Sequence, residues 1–141
     1  MISPVQRGSM TNSVVEPLSE KMLRGDVMAA ACPSREILSH LTSRWGVLIL
    51  IALLPETLRF SEIRRRIGGV SERMLAQTLQ LLEKDGMINR YDYNIVPLRV
   101  EYTLTPLGKE AAAKVRDLAD WIENNLAALT LAHNSPDAVA S

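Results

Sequence analysis

The 141-residue chain carries 47% apolar side chains, enough for one hydrophobic core and hardly for two, since a domain near this size buries about 70% of its unfolded surface. Its 16 basic and 16 acidic residues cancel, which excludes a globally basic nucleic-acid binder, and its single cysteine, Cys32, excludes an internal disulfide framework and points to a reducing, cytoplasmic setting. The longest apolar run, residues 47–54, is only 8 residues, too short for a membrane span, and the N-terminus lacks the apolar region of a signal peptide.

Residues 1–17 mix Pro, Ser, Gly and Asn without periodicity and are expected to form a loose leader. The RGSM run before Thr11 also fits an expression-vector remnant, with a second start at Met10. One domain is expected over 18–131, with a patternless tail over 132–141. Leu18, Met22, Leu23, Val27 and Ala30 or Ala31 have helical spacing, weakened by Gly25. Cys32-Pro33 then opens a second helix, because Pro suits the first helical position and leaves Cys32 at the N-cap; Ile37, Leu38 and Leu41 form its apolar stripe. Residues 45–54, WGVLILIALL, read as a helix apolar nearly all round, which belongs in the middle of a core and is closed by Pro55.

A turn over 55–58 leads to a short helix, residues 60–67, with Arg64, Arg65 and Arg66 outward. Three consecutive arginines point in three directions, so at most two face one ligand; a merely solvated basic face is the alternative. Gly68, Gly69 and Val70 link it to the stretch around which the chain is organised, residues 70–86. Here Leu75, Leu79 and Leu82 fall at i, i+4 and i+7, with Met74 and Leu81 widening the stripe. Ser71 is placed to cap the first turn, Glu72 complements the positive end of the helix, and Gly86 ends it. The opposite face shows Arg73, Ala76, Gln77, Gln80 and Lys84, with Thr78 at its margin, side chains suited to base edges and phosphates.

Residues 87–93 and 99–104 read as two strands around a tip at 94–98, since Val100, Tyr102 and Leu104 alternate with Arg99, Glu101 and Thr103. On such a hairpin Arg90 and Arg99 are candidate backbone or minor-groove contacts, or else solubilising charges. Between residues 59 and 99 eight basic residues face five acidic ones, a local excess of +3 that leaves the rest of the chain at −3. Thr105-Pro106 should start a final helix reaching about Leu129, with Leu107, Ala111, Val115, Leu118, Ile122, Leu126 and Leu129 on one stripe. A helix that long spans about 30 Å, so part of its stripe passes its own core. The expected remedy is a two-fold homodimer packed through Leu118, Trp121, Ile122, Leu126 and Leu129.

Taken in order, these pieces resemble the HxlR-type winged helix-turn-helix regulators, relatives of the MarR type. The resemblance covers about residues 32–126. It rests on Cys32-Pro33, Arg44-Trp45, Arg59-Phe60-Ser61-Glu62-Ile63, Val70-Ser71 with Met74-Leu75 and Leu79, Leu82-Glu83-Lys84-Asp85-Gly86, and Arg99-Val100-Glu101-Tyr102-Thr103-Leu104-Thr105 followed by Gly108. It implies a mainly α, α+β winged helix-turn-helix with a two-stranded wing and long terminal helices forming a dimer. It also implies a bacterial transcription regulator that reads an inverted-repeat operator in double-stranded DNA, commonly beside detoxification or redox genes. The chain departs from the family pattern at Ala76, where Thr is usual, and at Leu98, where a second Pro is usual.

Candidate DNA contacts are therefore Arg64, Ser71, Arg73, Gln77, Thr78, Arg90 and Arg99. Cys32 is a candidate thiol switch toward oxidants or electrophiles, because an N-cap sulfur sits near unpaired backbone N–H groups and some members of the family use a cysteine there; a small packing residue is the alternative. No catalytic residue, cofactor or metal is expected. His40 and His133 are far apart, a single Cys provides no ligand spacing, and Gly68-Gly69 is too short to cradle a phosphate. The rival reading is a winged-helix module for protein interaction or ligand sensing with weak DNA binding.

Overall fold

The computed structural model describes residues 15–25 and 32–134. Most of the expected leader, the second half of the helix expected over 18–31 and the end of the tail lie outside them. Two compact units make up the chain, Met1–Leu38 and Ser39–Ser141. In the first, α1 spans Leu18–Leu23 and buries no residue; Gly25, at φ 73, follows it. Helix α2, Pro33–Leu41, starts at the proline as expected, but no residue in it is fully buried. Of its anticipated stripe, Ile37 and Leu41 are half-buried and Leu38 is exposed.

The second unit is built on α3, Arg44–Leu53, whose N-cap Ser43 accepts a hydrogen bond from the Gly46 N–H at 3.1 Å. As its composition requires, α3 is central: Ile49 and Leu50 are fully buried, and the helix packs against α4 (Phe60–Ile67), α5 (Glu72–Lys84), β3 (Val100–Leu104) and α6 (Pro106–Asn124). Ile63 from α4, Leu75, Leu79 and Leu82 from α5, Ile88 from β2 (Ile88–Asp92) and Leu104 from β3 complete the core.

The wing has a third strand that periodicity could not show. Leu58, the last residue of the expected turn, and Arg59 form β1 (Leu58–Arg59), and the antiparallel order is β1-β3-β2, with Leu58 opposite Tyr102 and Ile88 opposite Leu104. Two residues are below any pattern length, yet Leu58 is 2% exposed and anchors the start of α4 to the sheet. Beyond Ile88 the residues of β2 are all exposed, so the ribbon leaves the core as a wing.

Thr105 caps α6 by accepting the Gly108 N–H at 2.9 Å, and its hydroxyl also donates to the Gly86 carbonyl at 2.6 Å, tying the end of α5 to the start of α6. The final helix is not continuous to Leu129. It breaks at Asn125, φ −115 and ψ 14, into α6 and α7 (Leu126–His133). The Asn125 side chain donates to the Trp121 carbonyl at 2.8 Å, a local bond that competes with the helical ladder. Leu107, expected on the buried stripe, is 63% exposed; Gly108 and Ala112 are the buried residues of α6. Helices packed against a small antiparallel sheet, with an exposed ribbon beyond it, form a winged helix-turn-helix.

Gly108 sits where α6 meets the strand entrance, and a Cβ there would overlap the Met87 carbonyl oxygen. Overpacking against backbone has no side-chain rotamer to relieve it. Gly108→Ala is expected to lower unfolding stability by about 1–3 kcal/mol in urea denaturation; an unchanged midpoint would contradict this packing.

Candidate nucleic-acid interface

Helix α5 owes its orientation to its two ends as much as to its apolar face. At the start, Ser71 Oγ accepts the Met74 N–H at 3.1 Å, as expected of an N-cap. At the end, the Met87 N–H reaches the Leu82 carbonyl at 2.9 Å and the Gly86 N–H reaches Glu83 at 3.0 Å, the paired bonds of a Schellman motif, with Gly86 at φ 80. The turn from α4 needs two consecutive left-handed residues, Gly68 at φ 73 and Gly69 at φ 79, which L side chains rarely adopt. Arg64 braces this turn, donating from Nε to the Val70 carbonyl at 3.2 Å and from its guanidinium to Glu72 at 2.9 Å.

With the leucines inward, Arg73, Ala76, Gln77 and Gln80 are exposed on the far side of α5. Arg73 and Gln77 have no hydrogen-bond or ionic partner among the described residues. Thr78 departs from expectation. It is buried, 8% exposed, and its hydroxyl donates to the Met74 carbonyl at 2.8 Å, so it faces the protein and not the margin of the outer surface. Met74, grouped with the apolar stripe, is instead 42% exposed.

The arginines around this face are not equivalent. Arg64 is paired as above, and Arg66 pairs with Glu56 at 2.9 Å. Arg65, passed over among the contacts expected from sequence, is exposed, has no ion pair among the described residues, and lines a shallow concavity with Ser61, Arg64 and Ser71 at the start of α5. On the wing Arg90 lies 3.8 Å from Asp92, while Arg99 binds Glu101 at 2.9 Å and stacks over the Tyr93 ring at 4.5 Å. The Tyr93 hydroxyl donates to the other oxygen of Glu101 at 2.9 Å. Hydrogen bonds from Tyr93 and then Arg99 hold the Glu101 carboxyl below its usual range, and the same Glu101 contact pushes the Tyr93 hydroxyl up.

Cys32 is half-buried ahead of α2. Its sulfur lies 2.9 Å from Ser34 Oγ and 3.5 Å from Lys21 Nζ. The Ser34 hydroxyl, then the Ser34 backbone and Lys21, hold the thiol below its ordinary value against a smaller opposing effect of burial. The expected dimer residues Leu118, Trp121, Ile122, Leu126 and Leu129 are all exposed apolar side chains, spread over α6 and α7.

The sequence profile of the HxlR-like helix-turn-helix family matches residues 40–130. The HTH-type transcriptional regulator YtfH of Escherichia coli (strain K12) is 62% identical over 109 residues, covering 77% of this chain and 86% of that protein. The solved structure of the transcriptional regulator ytfH from Salmonella typhimurium superposes with a TM-score of 0.71 at 60% identity, covering 74% of this chain and 94% of that one. The redox regulator HypR in its oxidized form superposes with a TM-score of 0.61 at 33% identity, covering 67% and 97%. With the family profile matched over residues 40–130 and a relative 62% identical over 109 residues, this chain belongs to the HxlR-like helix-turn-helix family of transcriptional regulators.

Proposed function

We propose that the protein acts in the cytoplasm as a homodimer that reads an inverted-repeat operator, placing one α5 helix in each of two successive major grooves. The observation that carries this reading is the exposed face of α5, where Arg73 and Gln77 stand without partners among the described residues while Leu75, Leu79 and Leu82 are locked in the core. Arg and Gln are the side chains that pair bidentately with guanine and adenine edges. Arg64, Arg65 and Ser71 at the start of α5, with Arg90 and Arg99 on the wing, serve phosphates in this reading. Thr78 makes no base contact in this account, because its hydroxyl is already committed. The exposed apolar side chains Leu118, Trp121, Ile122, Leu126 and Leu129 provide the dimer surface, and a two-fold operator requires such a dimer.

Duplexes selected from a random pool are expected to contain two half-sites. Arg73→Ala or Gln77→Ala should relax preference at particular positions and cost about 1–3 kcal/mol, whereas Arg65→Ala or Arg99→Ala should weaken all sequences alike and flatten the salt dependence. Selection of no common sequence, or an affinity insensitive to salt, would favour a protein-interaction module instead. Light scattering is expected to give a dimer at micromolar concentration, and a monomer would contradict the assembly.

Cys32 is proposed as a redox-responsive residue of this regulator, supported by its Ser34 and Lys21 contacts and by the similarity to HypR. A lowered thiol value means that thiolate persists to lower pH. The rate of alkylation by iodoacetamide should therefore rise through a midpoint below that of a free thiol, about 8.5. Ser34→Ala removes the largest stabilising contact and should move that midpoint upward. Coincident profiles for the wild type, Ser34→Ala and free cysteine would leave Cys32 as a packing residue.

A further inference from the structure

The residue that closes α5 is an acid at the unfavourable end of a helix. Asp85 is the C-cap, where the free carbonyls already concentrate negative potential, and its side chain is only 8% exposed. Its partner is His40, whose Nδ1 lies 2.7 Å from Asp85 Oδ2; no Lys or Arg is within ion-pair distance of that carboxylate among the described residues. A carboxylate only accepts, so the imidazole donates from Nδ1.

His40 belongs to the sharp corner between α2 and α3. Its carbonyl accepts the Ser43 hydroxyl at 2.8 Å and the Ser43 N–H at 3.4 Å, and it lies so close to Gly46 that a Cβ there would overlap it. The corner is thereby fixed to the start of α3, the helix at the centre of the core. One residue beyond Asp85, the Gly86 carbonyl takes the Thr105 hydroxyl at 2.6 Å. The end of α5 is gripped by two elements distant from it in sequence, and only one of the grips, from His40, acts through a side chain of the helix end itself.

We propose that His40 is a positioning residue for DNA reading: through Asp85 it fixes the rotation of α5 about its own axis, and with it the points at which Arg73 and Gln77 reach the duplex. Leu75, Leu79 and Leu82 select the buried face, but apolar contact is non-directional and tolerates a small roll, whereas a short hydrogen bond between two half-buried side chains does not. Side-chain tips ride about 5 Å from a helix axis, so a roll of about 10° displaces them by about 1 Å, enough to misalign a bidentate contact to a base. Arg73 and Gln77 lie about 18 and 12 Å along the helix from Asp85, at about 1.5 Å per residue, so His40 acts on them only through the helix. This role rests on the operator reading above.

The test is fluorescence anisotropy on the full-length protein, comparing an operator duplex selected from a random pool with a scrambled duplex of the same length. His40→Ala and Asp85→Ala should each lower operator affinity about tenfold and leave affinity for the scrambled duplex within about twofold, because phosphate contacts carry no base register. A smaller folded fraction weakens both duplexes alike, so the ratio of the two affinities separates positioning from a merely structural role. The double variant should match either single one, about tenfold and not a hundredfold, since both remove the same contact. Asp85→Asn keeps an oxygen acceptor in place and should retain operator affinity within about twofold. An unchanged ratio in the single variants, additive losses in the double variant, or Asp85→Asn as weak as Asp85→Ala would overturn the role of His40 while the operator reading stands; a wild type with no preference between the duplexes would overturn both.

Discussion

A helix that reads DNA must be held by one face only, and the burial of Leu75, Leu79 and Leu82 against α3 is the constraint on which this structure depends. Full burial of a leucine side chain is worth roughly 1.5–3 kcal/mol, so the three together rival the net stability of a small domain. That grip alone would leave the helix free to shift along its axis. The Ser71 cap at one end and the Schellman bonds at the other set its limits, and Thr105, bonded to the Gly86 carbonyl, links the far limit to α6. The exposed side chains on α5 thus inherit their positions from contacts they do not make.

The electrostatics around the helix follow a different logic. Arg64, Arg90 and Arg99 all face carboxylates within the protein, Glu72, Asp92 and Glu101. Exposed pairs of this kind contribute about 0–1 kcal/mol each, so exchanging a carboxylate for a phosphate costs little. In the free protein these pairs orient the arginines; on DNA they would be released partner by partner. Arg65 and Arg73, exposed and without an ion pair among the described residues, would need no such exchange under the proposed reading.

Elements with a strong period were legible from residues alone. The leucine spacing of α5, the apolar run of α3, the β3 alternation and the Thr105-Pro106 start all appear where the pattern places them. Features that depend on a single residue or a tertiary contact were not. The 3-and-4 spacing of apolar residues continues through Asn125, so periodicity carried the last helix across a break that one side-chain amide produces; the Asn124-Asn125 pair was the available signal. Strand β1 is two residues long and exists because Leu58 pairs with Tyr102, a partner distant in sequence. Thr78 looked marginal on a helical wheel, but its hydroxyl could bond the carbonyl four residues back, which turned it to the protein side. In the candidate interface, residue type and spacing already put Arg73 and Gln77 on the exposed side of α5, while which of Arg64, Arg65 and Arg66 holds an ion pair depends on acids that the local pattern does not show.

The central claim is that α5 enters the major groove twice on one face of the duplex. Methylation interference on a selected operator tests it most directly, because methylation at guanine N7 blocks the major groove and at adenine N3 the minor groove. The account predicts interference from guanine methylation in two clusters separated by one helical turn, about 34 Å, with adenine N3 effects limited to flanks within reach of the wing. Interference from a single cluster, or from adenine N3 alone, would contradict it.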